Sequence, residues 1–193
     1  MSTFYSNTLK IVGSDKQVSE VRKFIAGTGD TEFIDFNNID PMPKELKLET
    51  ISGHESMAIQ LLWGQNSSYR NESIEKIQLL FSGLGTQEQQ RAIDIAFEYK
   101  NYKEEYGSGT QMEWIRQSWG TIWSESYSQR LLNKDEIQFE TKNASGKVIV
   151  DKLSQRFPDT ELRLQYWNEQ DYSGEYVFKN GLIKETEVWE MHP

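Results

Sequence analysis

The fold of this chain turns on one segment, Trp114-Ile-Arg-Gln-Ser-Trp-Gly-Thr-Ile-Trp123, which holds three of the six tryptophans. A buried tryptophan is large and its indole N–H needs an acceptor, so such a cluster marks either a core seam or a binding surface. The segment joins a helical middle region to a C-terminal region rich in predicted strands. If it is extended, Trp119, Thr121 and Trp123 share one face. We expect that face to be a structural joint or a candidate binding surface.

Before this segment, the N-terminal region is predicted to form strand, helix and strand. Asn7–Gly13 has the pattern of a strand, and Ser14-Asp-Lys-Gln17 is a capping box that begins a helix. Glu32–Phe36 is predicted as a second strand. Asp40-Pro-Met-Pro43 closes that strand, because proline cannot donate to a ladder.

The middle of the chain is predicted to be helical. Ile74, Ile77 and Phe81 mark one helix, and two further helices begin at the capping patterns Thr86-Gln-Glu-Gln89 and Thr110-Gln-Met-Glu113. Residues 44–69 have no clear periodicity, and we assign no element to them.

After the tryptophan segment, strands return. Ile137–Thr141 and Leu162–Tyr166 alternate apolar and polar residues, and a helix is predicted between them from Ser145 to Phe157. Tyr176–Trp189 is predicted to be a hairpin, because Asn180-Gly181 suits a two-residue type I′ turn. The pattern is a split β-α-β unit on an antiparallel sheet, in which the two halves are separated by a helical insertion.

The predicted core combines both halves of this pattern. We expect eight apolar residues to be mostly buried: Leu9, Ile11, Phe33, Phe36, Phe139, Leu153, Phe157 and Leu164.

Composition bounds the kinds of partner and site that the chain can have. Its 193 residues carry 30 acidic and 21 basic side chains, a net charge of −9, and no cysteine. The absence of cysteine excludes disulfides and thiolate chemistry, and the negative charge argues against nucleic acid as a partner. Residues 159–193 hold eight acidic and three basic side chains. That region is expected to be a solvated sheet face or a surface for a basic protein.

The sequence offers little for catalysis or for a cofactor. Only His54 and His192 are available as histidines, and no serine lies in a nucleophile elbow. No glycine pair extends to a dinucleotide or phosphate loop. We therefore predict no catalytic residue, no cofactor and no metal, with an enzyme that uses Asp, Glu, Tyr and Arg left open. The N-terminus resembles no signal peptide and no apolar run could span a bilayer, so we expect a cytoplasmic protein with no membrane partner.

Asp35 and Asn37 form a second candidate site. If Glu32–Phe36 is a strand, these two residues lie on the same face and could bind a ligand. The alternative is that they cap the turn before Asp40-Pro41, as short polar side chains commonly do.

Five pieces of the sequence, in the same order, resemble those of a known family. They are Asn7–Gly13, Phe36–Pro43, Trp119–Trp123, Phe157-Pro158 and Tyr166–Gly174. Together they resemble the YubB-like proteins of bacterial plasmids and phages, which have a ferredoxin-like C-terminal domain and no established activity. The family usually has lysine where this chain has Ile122. The resemblance implies a ferredoxin-like α+β fold and does not cover the helical middle. Together with the residue pattern, we expect one domain over residues 1–193, with helices on one sheet face and a mainly helical insertion at about 46–118.

Three functions follow as hypotheses. The first is a non-enzymatic protein-binding or accessory protein of a bacterial mobile element. The second is an acidic antagonist that mimics nucleic acid or neutralises a basic toxin or nuclease. The third is the enzyme using Asp, Glu, Tyr and Arg. A basic protein is the partner that the acidic C-terminal region predicts.

Overall fold

The computed structural model describes residues 3–29, 32–64, 69, 71–124, 127–169 and 172–190, with the backbone alone at 172 and 184–190. The chain divides into two compact units. One consists of Met1–Met42 with Ile115–Pro193, and we call it the α/β unit. The other is Pro43–Trp114, the helical unit.

The elements follow one another along the chain in a strand–helix–strand order that the helices of the middle interrupt. The strands are β1 Phe4–Val12, β2 Gln129–Leu131, β3 Glu136–Lys142, β4 Glu161–Asn168, β5 Tyr172–Lys179 and β6 Leu182–Glu190. The helices are α1 Asp15–Ile25, α2 Phe36–Ile39, α3 Gly53–Trp63, α4 Ile74–Ser82, α5 Thr86–Tyr106, α6 Gln111–Ser118 and α7 Lys147–Arg156.

The six strands form one antiparallel sheet in the order β2-β3-β1-β4-β5-β6. β1 lies between β3 and β4, so that Leu9 is opposite Ile137 on one side and Leu164 on the other. With α1 after β1 and α7 after β3, the order β2-β3-β1-β4 is the split β-α-β arrangement, and the β5–β6 hairpin extends it. The predicted α+β class is confirmed.

One face of this sheet carries the core of the α/β unit. Strand residues alternate between faces, and those beside Leu9 and Ile11 are buried against apolar residues of α1 and α7. Six of the eight predicted core residues are fully buried, namely Leu9, Ile11, Phe36, Phe139, Leu153 and Leu164. Phe33 and Phe157 are half-buried, and Phe157 packs edge-to-face on Phe24 with ring centroids 5.4 Å apart.

Asn7 is a polar residue inside this core, with no exposed surface. Its side-chain amide donates to the Phe139 carbonyl at 3.3 Å and to the Thr141 hydroxyl at 2.9 Å, and its Oδ1 accepts the Gly146 N–H at 2.9 Å. A buried amide is tolerated when its hydrogen bonds are made. Asn7 therefore ties β1 to β3 and satisfies a free N–H at the start of α7.

The β5–β6 hairpin turns at Asn180-Gly181, as predicted. Both residues have positive φ, 54° and 66°, which the type I′ turn requires. The Gly181 N–H donates to the Ser154 hydroxyl of α7 at 2.7 Å. The turn is thus fixed to the helix beneath the sheet.

The contact between α3 and α5 in the helical unit is rich in alanine. Ala58 and Ile59 of α3 pack with Ala92 and Ala96 of α5, and all four are buried. Alanine allows two helices to approach closely because little side-chain volume separates them. Helices α3 and α5 end at Gly64 and Gly107, whose positive φ (64° and 75°) suits a left-handed cap.

The strand predicted at Glu32–Phe36 is wrong. Asp35 instead caps the short helix α2, and the Ile34 N–H donates to the Gln129 side chain at 2.9 Å. A carboxylate that accepts a nearby N–H starts a helical turn in preference to a strand. The sheet position expected for this segment belongs to β2, which follows the tryptophan segment in the chain.

Besides α2, the structure adds a second helix that the periodicity did not predict, and it adjusts the start of another. Helix α3 lies in the segment to which we assigned no element, and it begins at a capping box of Ser52 and Glu55. Helix α7 begins at Lys147 with Gly146 as its cap, and not at Ser145. Among the described residues, every helix is too short or too polar to cross a membrane.

Candidate functional site

Two tryptophans of the segment, Trp119 and Trp123, lie in the α/β unit. Trp119 and Trp123 are 2% and 5% exposed. The Phe36 ring stacks on Trp123 with centroids 4.8 Å apart and an interplanar angle of 9°, and it meets Trp119 edge-on at 5.5 Å. The Trp119 Nε1–H donates to the Asp40 carbonyl at 2.9 Å. These two rings are therefore closed off from solvent by packing.

Between the two tryptophans, Gly120 and Thr121 fix the path of the chain. Gly120 has φ 72°, and a Cβ there would lie 2.4 Å from a Val148 methyl group of α7. The buried Thr121 hydroxyl lies 2.7 Å from the Ala144 carbonyl oxygen and 3.0 Å from that of Lys142. Backbone hydrogen bonds in both directions between Ile122 and Lys142 complete the attachment to the end of β3.

Asp35 and Asn37 lie at the start of α2, where they bond to each other and to the backbone. Asp35 Oδ1 accepts the Asn37 N–H at 2.8 Å, and Asn37 Oδ1 accepts the Met42 N–H at 3.3 Å. Because the strand is absent, the expected common strand face does not exist. Phe36 stands between them in sequence and stacks on Trp123, so the two predicted sets of residues lie in one neighbourhood.

Two buried donors in this neighbourhood have no hydrogen-bond partner, Trp123 Nε1 and Gln129 Nε2. The oxygen of the same amide, Gln129 Oε1, accepts the Ile34 N–H. Both donors therefore flank the segment that leads into α2. A buried unpaired donor costs free energy, which makes this the least satisfied polar region of the α/β core that the structure describes.

The structure also exposes a surface that sequence reasoning missed. We call it the open face, which is the sheet face opposite α1 and α7. Register places three cross-strand rows of residues on its central strands, with one residue each from β3, β1 and β4 in that order. The rows are Glu136, Lys10, Arg163; Gln138, Thr8, Gln165; and Glu140, Ser6, Trp167.

Trp167 is the exceptional residue of the open face. It is 44% exposed, and its cross-strand neighbours are Ser6 on β1 and Ser173 on β5. A hollow of about 420 Å³ lies beside it, lined in part by Thr8, Gln138 and Gln165. The sequence did contain the signal, because alternation in β4 puts Leu162, Leu164 and Tyr166 on the core face and leaves a tryptophan on the polar one.

The charged groups of the open face are largely paired. Lys10 Nζ lies 2.8 Å from Glu136 Oε1, and Arg163 Nη2 lies 2.9 Å from Glu161 Oε1. The hydrogen bond to Glu136 raises the pKa of Lys10, and the same bond lowers the pKa of Glu136. A second hollow of about 340 Å³ lies between Lys10, Arg163 and Glu175. The hollow beside Trp167 is the more open of the two, which suits contact with a surface better than enclosure of a small molecule.

Few of the described side chains are arranged for acid–base or metal chemistry. Among the described residues, no group of three or more His, Asp or Glu side chains could hold a metal ion. Glu113 in the helical unit is a part-buried carboxylate with a lowered pKa and clear hydrogen-bond partners. Burial raises its pKa, but hydrogen bonds from Tyr99, the Gly109 N–H and Lys103 outweigh burial and hold the pKa below its usual value. Those bonds close the joint between α5 and α6.

Comparison with known proteins defines the class of the C-terminal part. Residues 118–192 match the family model described as the ferredoxin-like domain in Api92-like protein. The ferredoxin-like C-terminal domain that the sequence resemblance implied is confirmed over these residues. Among solved structures, the chain is similar to protein api92 from Yersinia pseudotuberculosis, with 10% identity, a TM-score of 0.45 and full coverage of both chains. No curated protein matches the sequence.

Proposed function

We propose that the protein acts by binding another protein on the open face of its sheet, without catalysing a reaction. The observation that carries this proposal is the exposed ring of Trp167 between two serines. Tryptophan is among the residues that contribute most to binding energy at interfaces, where it fills a pocket of the partner.

The neighbours of Trp167 argue against a role in stability. Sheets are stabilised when an aromatic residue faces an aromatic or β-branched residue across the strand. Ser6 and Ser173 are too small to cover the indole from either side, and Trp167 keeps 44% of its surface exposed. By contrast Phe4, which is equally exposed, packs edge-on against Tyr127 at 5.4 Å and beneath Lys142.

The polar residues around Trp167 suit the rim of such an interface. Gln165 Nε2 donates to Glu175 Oε1 at 3.0 Å, and Gln138 Nε2 donates to the Ser6 hydroxyl at 3.1 Å. Because both glutamine amides are already hydrogen-bonded within the protein, they keep these bonds when a binding partner displaces water from the surface. An apolar anchor within a satisfied polar surround is the usual anatomy of a protein–protein interface.

The proposal also covers the biological source of the protein and the chemical class of its partner. The sequence resemblance to YubB-like proteins supports a bacterial mobile element, plasmid or phage, as the source, and an accessory role there. The partner that the acidic composition supports is a basic protein.

A single substitution tests the proposed function. Trp167→Ala should leave the melting temperature unchanged and abolish capture of the partner that the wild-type protein retains from a lysate of its host, identified by mass spectrometry. Phe97→Ala removes a ring with 51% exposure from the helical unit and is the matched control. If Trp167→Ala retains the same partner in full, or if it lowers stability as a core residue would, the open face is not the binding surface.

A further inference from the structure

We infer that the free edge of β6 receives an extended segment of a protein partner that carries lysine or arginine at alternate positions, which adds a strand to the sheet. The inference rests on the proposed protein-binding function and names the chemistry of the partner. It concerns the edge of the sheet, whereas Trp167 lies on its face.

The two edges of the sheet differ in length. β2 has three residues and β6 has nine. Within the described part of the chain, the sheet ends at β6. The outer side of an edge strand presents unpaired N–H and C=O groups, which are a template for another strand. A three-residue edge offers little of this, so β6 is the edge where addition can occur.

Most of β6 is regular enough to receive a strand. The ladder with β5 is shifted only between Val177 and Phe178. From Glu185 opposite Val177 to Glu190 opposite Tyr172 the pairing is continuous. These six residues span about 20 Å, the length of a common strand.

The charge of this edge selects the occupant. Register places Glu187 directly opposite Glu175, and Glu185 follows two residues along the same strand, at a position of the same face. Like charges opposite each other destabilise a sheet. The Glu175 carboxylate is bonded to the neutral amide of Gln165. A lysine or arginine at the register positions opposite Glu185 and Glu187 would put opposite charges across the added strand pair, so the charge sequence of β6 favours a basic strand.

The same register disfavours a second copy of the chain as the occupant. An antiparallel pair of β6 strands centred on Thr186 would put Glu185 opposite Glu187 twice, and one centred on Glu187 would put that residue opposite itself. Acidic edges of this kind are a known means of preventing edge-to-edge association. The charge therefore favours a heterologous basic partner.

Synthetic peptides can test the inference on the full chain. The probe is an eight-residue peptide in which lysine alternates with valine. Its first control has glutamate in place of lysine, and its second keeps the lysines but carries N-methyl groups on alternate backbone amides, which blocks strand pairing without changing charge. Binding is measured by fluorescence anisotropy, and hydrogen exchange of residues 185–190 reports protection of the edge.

The lysine peptide should bind and slow exchange across residues 185–190, whereas the glutamate and N-methylated peptides should bind at least about tenfold more weakly. The double variant Glu185→Lys, Glu187→Lys should reverse the preference and keep or raise the melting temperature. Equal binding of the N-methylated peptide would show charge attraction without strand addition and overturn the inference. So would preference for the glutamate peptide, or dimerisation of the wild type that the double variant abolishes.

The outcomes for the edge and for the face are separable. Trp167→Ala should bind the lysine peptide as the wild type does. If no peptide binds, yet Trp167→Ala loses its captured partner, the strand-addition inference fails and the proposed function stands. If the peptide binds and Trp167→Ala captures its partner in full, the proposed use of the open face fails.

Discussion

The two units of this chain build their interiors from different residues. The α/β unit buries large side chains, including Phe36, Phe139 and Phe178, each with no exposed surface. In the helical unit, the contact between α3 and α5 centres on Ala58, Ala92, Ala96 and Ile59, and Leu79 is 73% exposed. A sheet and its helices stand far enough apart to need large side chains between them, whereas paired helices can meet through alanine.

This difference has an energetic consequence. Burial of apolar area stabilises in proportion to the area, so phenylalanine and tryptophan contribute more per residue than alanine does. The helical unit is also stabilised at its helix ends. Ser52 and Ser73 cap α3 and α4, and the Glu88 carboxylate accepts the Gly85 N–H at the start of α5. We therefore expect core substitutions to have larger effects in the α/β unit than in the helical unit.

The largest effect should come from Trp119→Ala. It removes a 2% exposed ring that contacts Phe36 and Trp123, and the cavity should cost about 3–5 kcal/mol in the free energy of unfolding. Trp119→Phe keeps most of the volume but loses the N–H bond to Asp40, which should cost less. Urea unfolding measures both. A small loss for Trp119→Ala would mean that the two units do not differ as their packing indicates.

Gly120→Ala should come next, at about 1–3 kcal/mol, because a left-handed backbone is strained for any residue with a Cβ. The new Cβ would also meet Val148. The double variant Gly120→Ala, Val148→Ala separates the two causes by thermal unfolding. If it restores full stability, the clash alone is responsible and the positive φ contributes nothing.

In the helical unit, the corresponding test adds volume. Ala96→Leu places a larger side chain between α3 and α5 and should destabilise by about 1–3 kcal/mol through overpacking. Asn101→Leu, on the exposed side of the same helix, is the control and should change little. If instead Ala96→Leu were stabilising, the helices would have room to separate, and their close approach would not depend on alanine.

The smallest effect should be a dependence of stability on pH through Glu113. Its folded pKa lies below the ordinary value of 4.5. A depressed carboxyl pKa stabilises the folded state above the unfolded value, and that stability is lost as the pH falls through the folded pKa. The free energy of unfolding should therefore decline below about pH 4.5 more steeply in the wild type than in Glu113→Gln. Identical slopes between about pH 3 and 6 would contradict the assignment.

Sequence patterns predicted those elements whose signals are local. Ser14 and Gln17 form the capping box expected of them, with the Ser14 N–H donating to the Gln17 side chain at 2.8 Å. Asn180-Gly181 forms its turn. Helix α3 was missed because its sequence, Met57-Ala-Ile-Gln-Leu-Leu-Trp63, is apolar on several sides and lacks a period. The pair Ser52 and Glu55 carried the capping signal that could have located it.

Patterns failed where a contact distant in sequence decides the structure. Phe33, Ile34 and Phe36 are apolar enough for a strand, but the Gln129 side chain takes the Ile34 N–H that a strand would use. The partner lies 95 residues away and leaves no trace in the local pattern. For the same reason, alternation in β4 could place Trp167 on the polar face, but the cross-strand rows of the open face follow only from the pairing of β1 with β3 and β4.

The amide of Asn7 also bears on which wrong structures this chain avoids. If β1 slipped by one residue against β3, Asn7 would turn to the opposite side of the sheet and Lys10 would enter the apolar layer. The slipped state would lose the bonds to Phe139 and Thr141 and leave the N-terminus of α7 without its acceptor. Apolar neighbours alone would tolerate several alignments. One buried amide thus gives the correct strand alignment a selective advantage in free energy, because among these alignments only the native one makes all of its hydrogen bonds.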